Sequence, residues 1–71
     1  MTEPRASTRD QRAAGLCVAG TEAWFKRYRL DYRTFCREGY PVSVLRATGD
    51  PLAEKVCVAA EKRAAEETGN G

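Results

Sequence analysis

Apolar positions at Leu16, Gly20, Ala23, Trp24 and Tyr28, flanked by Cys17 and Phe25, recur at intervals close to one helical turn. With Ser7 or Thr8 as N-cap, this pattern predicts a first helix from residue 8 to about Tyr28. Gly15 and Gly20 weaken it, each by about 1 kcal/mol relative to alanine. They are read as a break in the helix, as the prelude to a shorter helix capped by Thr21, or as sites of close approach by a neighbour. The spacing does not choose among these. Residues 1–7 are polar and contain Pro4, which predicts a disordered lead-in.

The pattern then shortens. Asp31 is a good N-cap, with Leu30 before it placed to staple against Phe35. A second helix, Tyr32 to Glu38, turns Tyr32, Phe35 and Cys36 inward, and Gly39 ends it. Pro41 suits a first helical position and opens a third short helix, with Val42, Val44 and Leu45 on its apolar side and Gly49 at its end. Asp50-Pro51-Leu52-Ala53-Glu54 is the sharpest local signal: an aspartate cap, a proline in the first turn, and a glutamate placed to bond back to Asp50. The last helix carries Leu52, Val56, Ala59, Ala60 and Arg63 along one stripe, and residues 68–71 fray.

The predicted fold is all-α: a small bundle of two longer helices flanking two short helices, with one domain over residues 8–67. Seventy-one residues allow no more than one domain and only a thin core. All six aromatics lie between positions 24 and 40, which centres that core on Leu16, Ala23, Trp24, Tyr28, Leu30, Tyr32, Phe35, Cys36, Val42, Leu45, Leu52, Val56 and Ala59.

Charge changes the picture more than composition does. The net charge is +2, but residues 26–37 hold five basic side chains against Asp31, while residues 38–71 hold four basic against six acidic. Lys26, Arg27, Arg29, Arg33 and Arg37 therefore form a candidate basic patch beside Tyr28 and Tyr32, with Arg46 as a further cation. Such a patch suits phosphates and stacked bases, or an acidic protein partner. It also serves as a solvated face whose cations complement a helix C-terminus.

The two short helices have about the lengths of a helix-turn-helix, whose second helix reads base edges. The register is poor: Phe35 falls where a small residue is needed, Glu38 where an apolar one is, and the reading helix offers only Arg46, Ser43 and Thr48. The three cysteines show no metal-binding spacing and the chain has no histidine, so no metal, cofactor or small-molecule substrate is expected. Cys36 lies between Arg33 and Arg37, but on the predicted core face, so catalysis is not expected either. Neither a secretory leader nor a membrane-spanning run is evident, and a cytoplasmic location is expected.

Cys17, Gly20, Trp24-Phe25, Leu30-Asp31, Phe35, Gly39, Pro41, Leu45, Ala47-Thr48-Gly49-Asp50, Ala53 and Val56 together resemble a group of small proteins encoded by tailed phages and prophages. The resemblance spans residues 17–56. Arg29 departs from it, standing where that group more often has glycine. The resemblance implies a phage or prophage accessory protein, in virion assembly or host modulation, and carries no catalytic residue across. With the residues above, it leads to the expectation of a non-enzymatic protein-interaction module, self-association included. The alternative is a small nucleic-acid-binding protein using the patch at residues 26–37.

Overall fold

The computed structural model describes residues 3–69, and it is mostly helical. The order is β1 (Arg5–Ala6), α1 (Thr8–Ala13), α2 (Val18–Arg27), α3 (Tyr32–Glu38), β2 (Tyr40–Pro41), α4 (Val42–Arg46) and α5 (Pro51–Gly69). The all-α expectation holds for the helices and misses the strands: β1 and β2 pair antiparallel, Arg5 opposite Pro41 and Ala6 opposite Tyr40. Val42 N–H extends the pairing to Pro4 O at 3.1 Å. The predicted lead-in is therefore part of the fold from at least Pro4 onward, and Ala6 is fully buried. Met1 and Thr2 lie outside the described residues. So do Asn70 and Gly71 of the predicted tail, whereas α5 continues through Gly69.

The first long helix is two helices. Ser7 caps α1, its N–H donating to the Asp10 carboxylate at 2.9 Å. Gly15, at φ +78°, reverses the chain. Gly15 N–H donates to Arg12 O at 2.9 Å and Leu16 N–H to Gln11 O at 3.1 Å, the two bonds of a Schellman termination. Cys17 then caps α2, its sulfur accepting from Gly20 N–H at 3.3 Å. Gly20 and Thr21 lie inside α2, so Gly15 is the break and Thr21 is no cap.

The break also re-aims the buried face. Leu16 leaves the helical register, and α2 turns Thr21, Trp24, Phe25 and Tyr28 inward at i, i+3, i+4 and i+7. Ala23, predicted as core, is exposed, and Phe25, predicted as a flank, is buried at the centre of an aromatic cluster. Its ring centroid lies 4.6 Å from Trp24, 4.8 Å from Phe35, 5.4 Å from Tyr32 and 5.9 Å from Tyr40. These tilted and edge-on geometries suit the quadrupoles of the rings.

α2 ends as α1 does, with one difference. Arg29 N–H donates to Lys26 O at 3.1 Å and Leu30 N–H to Phe25 O at 2.8 Å, another Schellman termination. The residue in the left-handed position is Arg29, at φ +60°, the only non-glycine with positive φ among the described residues. A Cβ there costs roughly 1–2 kcal/mol. Asp31 then caps α3 as expected, accepting from Arg33 N–H at 3.0 Å and from the Thr34 hydroxyl at 2.9 Å.

Within α3, Phe35 is fully buried and Tyr32 half-buried, but Cys36 is exposed. Successive helical residues turn by about 100°, so with Phe35 aimed at Phe25 the next side chain faces out. Gly39, at φ +74°, lets β1 come close: a Cβ there would stand 2.5 Å from Ala6 O.

Pro41 is the N-cap of α4 and not its first residue, so the helix begins at Val42, one residue after the predicted start; Val42 and Leu45 turn inward while Val44 is exposed. Asp50 caps α5 through Leu52 N–H at 2.8 Å. The Glu54 carboxylate does not bond back to it; only Glu54 N–H does, donating to Asp50 O at 3.1 Å. Asp50 N–H donates instead to the Thr48 hydroxyl, and Glu54 turns to Arg46. The buried stripe of α5 is Ala53, Val56, Cys57 and Ala60, with Leu52 and Ala59 at its margins. Its small residues let α1, α4 and β1 lie close against this helix.

Candidate interaction surface

The arginines divide into those that hold the fold together and those that do not. Arg46, on α4, forms a double clasp with α5. Its guanidinium donates to both Glu54 oxygens at 2.8 and 3.0 Å, and to both Glu61 oxygens at 2.9 and 3.1 Å. These bonds hold both carboxyls below the usual carboxylate range and push the guanidinium further up. Bidentate arginine–carboxylate geometry is the strong form of this contact.

Arg63, on α5, closes the other side. Nε and Nη2 donate to the two oxygens of Asp10 at 2.9 and 3.1 Å, and Nη2 also donates to Arg5 O at 3.1 Å. Asp10 is 1% exposed, so this ion pair is sheltered on its anionic side. Glu67 adds a longer contact to Nη1 at 3.4 Å. Arg5 in turn donates to Glu38 O at 3.0 Å and Gly39 O at 2.9 Å, pinning β1 to the end of α3.

The remaining candidates lie at the α2–α3 corner. Lys26 and Arg27 occupy the last turn of α2, Arg29 the connection, and Arg33 and Arg37 one face of α3. All five are exposed. Lys26, Arg27, Arg29 and Arg33 have no carboxylate within ion-pair distance among the described residues, and Arg37 has only a loose pair with Glu38 at 3.9 Å between exposed side chains. Arg12, Lys55 and Lys62 also have no ion pair among the described residues, but they are scattered over α1 and α5. Lys26, Arg27, Arg29, Arg33 and Arg37 are thus exposed near one another along the chain, on the end of α2, the connection and α3, whereas Arg46 is engaged in the clasp with Glu54 and Glu61.

Tyr28 and Tyr32, the aromatic half of the predicted patch, are half-buried and engaged internally. Tyr28 donates its hydroxyl to Asp50 at 3.1 Å, which raises the phenol above its ordinary value. The Tyr32 hydroxyl donates to Gln11 Oε1 at 2.7 Å, and its ring lies in the aromatic cluster. Tyr40 bonds the backbone of Asp31. With their hydroxyls engaged and their rings half-buried against the cluster, these tyrosines present little open face for stacking. α4 is five residues long, turns Val42 and Leu45 inward and has its one cation in the clasp, so it is poorly equipped to read base edges.

Other chemistry is sparse. Cys17 and Cys36 are exposed; Cys57 is buried, donates to Val42 O at 3.3 Å, and has its thiol pushed up by burial. Among the described residues, no three His, Cys, Asp or Glu side chains converge on a point that could hold a metal ion. No described helix is long and apolar enough to cross a membrane. An open groove of about 350 Å³ separates α1 from α5, where Ala13 and Ala59 lie between Arg9, Asp10, Lys62 and Arg63.

Sequence reasoning missed the Asp10–Arg63 clasp, although two signs of it were present. Asp10 stands three residues after a serine cap, and Arg63 falls on the apolar stripe of the last helix, where a charge needs a partner. No protein-family model, curated protein or solved structure matches the chain.

Proposed function

We propose that this protein is a non-enzymatic interaction module that docks an acidic protein surface on the rim formed by Lys26, Arg27, Arg29, Arg33 and Arg37. The observation that carries this reading is selective pairing. Arg5, Arg46 and Arg63 are consumed within the fold, whereas Lys26, Arg27, Arg29 and Arg33 at the α2–α3 corner have no ion pair among the described residues and Arg37 has only the loose one to Glu38. A protein partner is favoured over nucleic acid because Tyr28, Tyr32 and Tyr40 are engaged internally, and because Asp31 and Glu38 interrupt the positive surface. The resemblance of residues 17–56 to phage and prophage proteins supports an accessory role in virion assembly or host modulation, in the host cytoplasm or the virion.

The test is capture from nuclease-treated host lysate with the native chain and with R33E/R37E. Support is an acidic protein retained by the native chain, released by salt and lost on charge reversal. Retention that disappears with nuclease, or that ignores the reversal, overturns the proposal.

A further inference from the structure

We infer that Arg29 is the anchor of the rim: its guanidinium engages a carboxylate of the acidic protein partner, and this contact is why an arginine occupies a backbone position built for glycine. The inference rests on the reading of the rim as a docking surface and names the residue at its centre.

Two helices of this chain end in the same hydrogen-bonded termination. At the end of α1 the left-handed residue is Gly15, and at the end of α2 it is Arg29. The geometry is the same and φ is similar, +78° against +60°. Glycine relieves the strain in such a position, as it does at Gly15. Nothing inside the molecule compensates Arg29: its side chain is exposed and has no hydrogen bond or ion pair among the described residues. Every arginine whose side chain does work within the fold makes several bonds at 2.8–3.1 Å, as Arg5, Arg46 and Arg63 do. Strain retained without an internal return, among exposed cations most of which have no ion pair among the described residues, points outward.

The position also suits an anchor. Leu30, the next residue, packs against the core, and Leu30 N–H is tied to Phe25 O. Arg29 is thus held on a fixed turn rather than a loose loop, with Lys26 and Arg27 before it and Arg33 after it. A planar guanidinium so placed matches a carboxylate with two parallel bonds, while the neighbouring cations steer the approach.

The experiment measures binding of fluorescent poly-L-glutamate and of a mixed-sequence DNA duplex to the full chain at low salt, with a thermal melt on each variant. R29G removes the strain and the charge together, whereas R29Q keeps the strain and removes the charge. The expected result is that both variants bind polyglutamate about tenfold more weakly or worse, with R29G melting higher than the native chain and R29Q close to it. A purely structural arginine would not move binding down while the melting temperature moves up. Native-like binding by R29G and R29Q overturns the anchor; if R33E/R37E still abolishes binding in that case, the rim stands and only Arg29's role falls. Indifference to every one of these substitutions, or no polyglutamate binding by the native chain, overturns the rim as well. Tighter binding to the duplex, lost in the same variants, overturns the choice of a protein partner.

Discussion

Replacing Arg63 with methionine separates the sheltered clasp from ordinary surface charge. The side chain keeps much of its length, so packing of the stem against α1 is largely retained. What is lost is the guanidinium that satisfies both oxygens of Asp10. That carboxylate is 1% exposed and would keep only its bonds from Ser7. Leaving one member of a sheltered ion pair without its partner costs about 3–5 kcal/mol, far more than the pair contributes relative to apolar residues. A domain of 71 residues has a total stability of about 4–10 kcal/mol. R63M is therefore expected to remove a third or more of it, and to leave part of the population unfolded at 37 °C.

Urea denaturation followed by far-ultraviolet circular dichroism measures this loss. D10N completes the cycle. The amide keeps an oxygen for Ser7 N–H and sheds the charge, so D10N/R63M is expected to be more stable than the sum of the single losses implies, with a coupling of about 1–3 kcal/mol. If R63M costs less than about 1 kcal/mol, Asp10 and Arg63 behave as an exposed pair and the reasoning fails.

G15A and G20A are expected to move stability in opposite directions. A Cβ at Gly15 meets nothing within 4 Å but sits at φ +78°, so G15A loses about 1 kcal/mol. At Gly20 it meets only the exposed Cys17 sulfur, at 3.2 Å, and the helix gains about 0.5 kcal/mol; chemical denaturation of both variants reads the signs. G39A forces a Cβ against Ala6 O at φ +74°, and should cost about 2 kcal/mol or more, with faster amide exchange at Val42 as β1 lifts away. The carboxyls of Asp31, Glu54 and Glu61 are all held below their ordinary range. Their contribution is therefore complete above the unfolded carboxylate range and is lost as pH falls through the lower folded values. The urea midpoint should stay level from neutral pH down to about 5 and fall below about 4, less steeply in R46M, where Glu54 and Glu61 lose their partner.

The parts of the fold written in neighbouring residues were legible in the sequence. Asp31 caps α3, Gly39 ends it, and Asp50-Pro51 starts α5, because each of these depends on a few consecutive side chains and the backbone they bond. The first helix was ambiguous for a physical reason: Gly15 and Gly20 carry the same local penalty, and only the termination bonds to Gln11 and Arg12 distinguish them. The β1–β2 pairing was invisible because two residues have no periodicity, and Arg5 meets Pro41 only after three helices have brought them together. Glu54 was assigned to Asp50 because a capping box is a local rule, and Arg46 outcompeted it from another helix. The site divides along the same line. The cluster at residues 26–37 is visible as charge along the chain, but that Arg46 is locked while Arg29 is free follows only from the placement of α4 on α5.

That division has an energetic consequence for where a partner can bind. The buried stripe of α5 consists of small residues, so α5 contributes little apolar area to a thin core. Charge compensates at its margins, with Arg46 clasping one side and Arg63 the other. The α2–α3 corner is held differently, by the ring cluster of Trp24, Phe25, Tyr32 and Phe35 and by the Asp31 cap, none of which uses a cationic side chain. Cations there are released from structural duty and can change without unfolding the chain. Reversing Arg33 and Arg37 is accordingly expected to leave the melting temperature within a few degrees of native, as surface substitutions do, while reversing Arg63 should not. Loss of binding at the corner without loss of fold would therefore report the interaction itself, and a rim whose reversal unfolds the protein would mean that its cations belong to the scaffold after all.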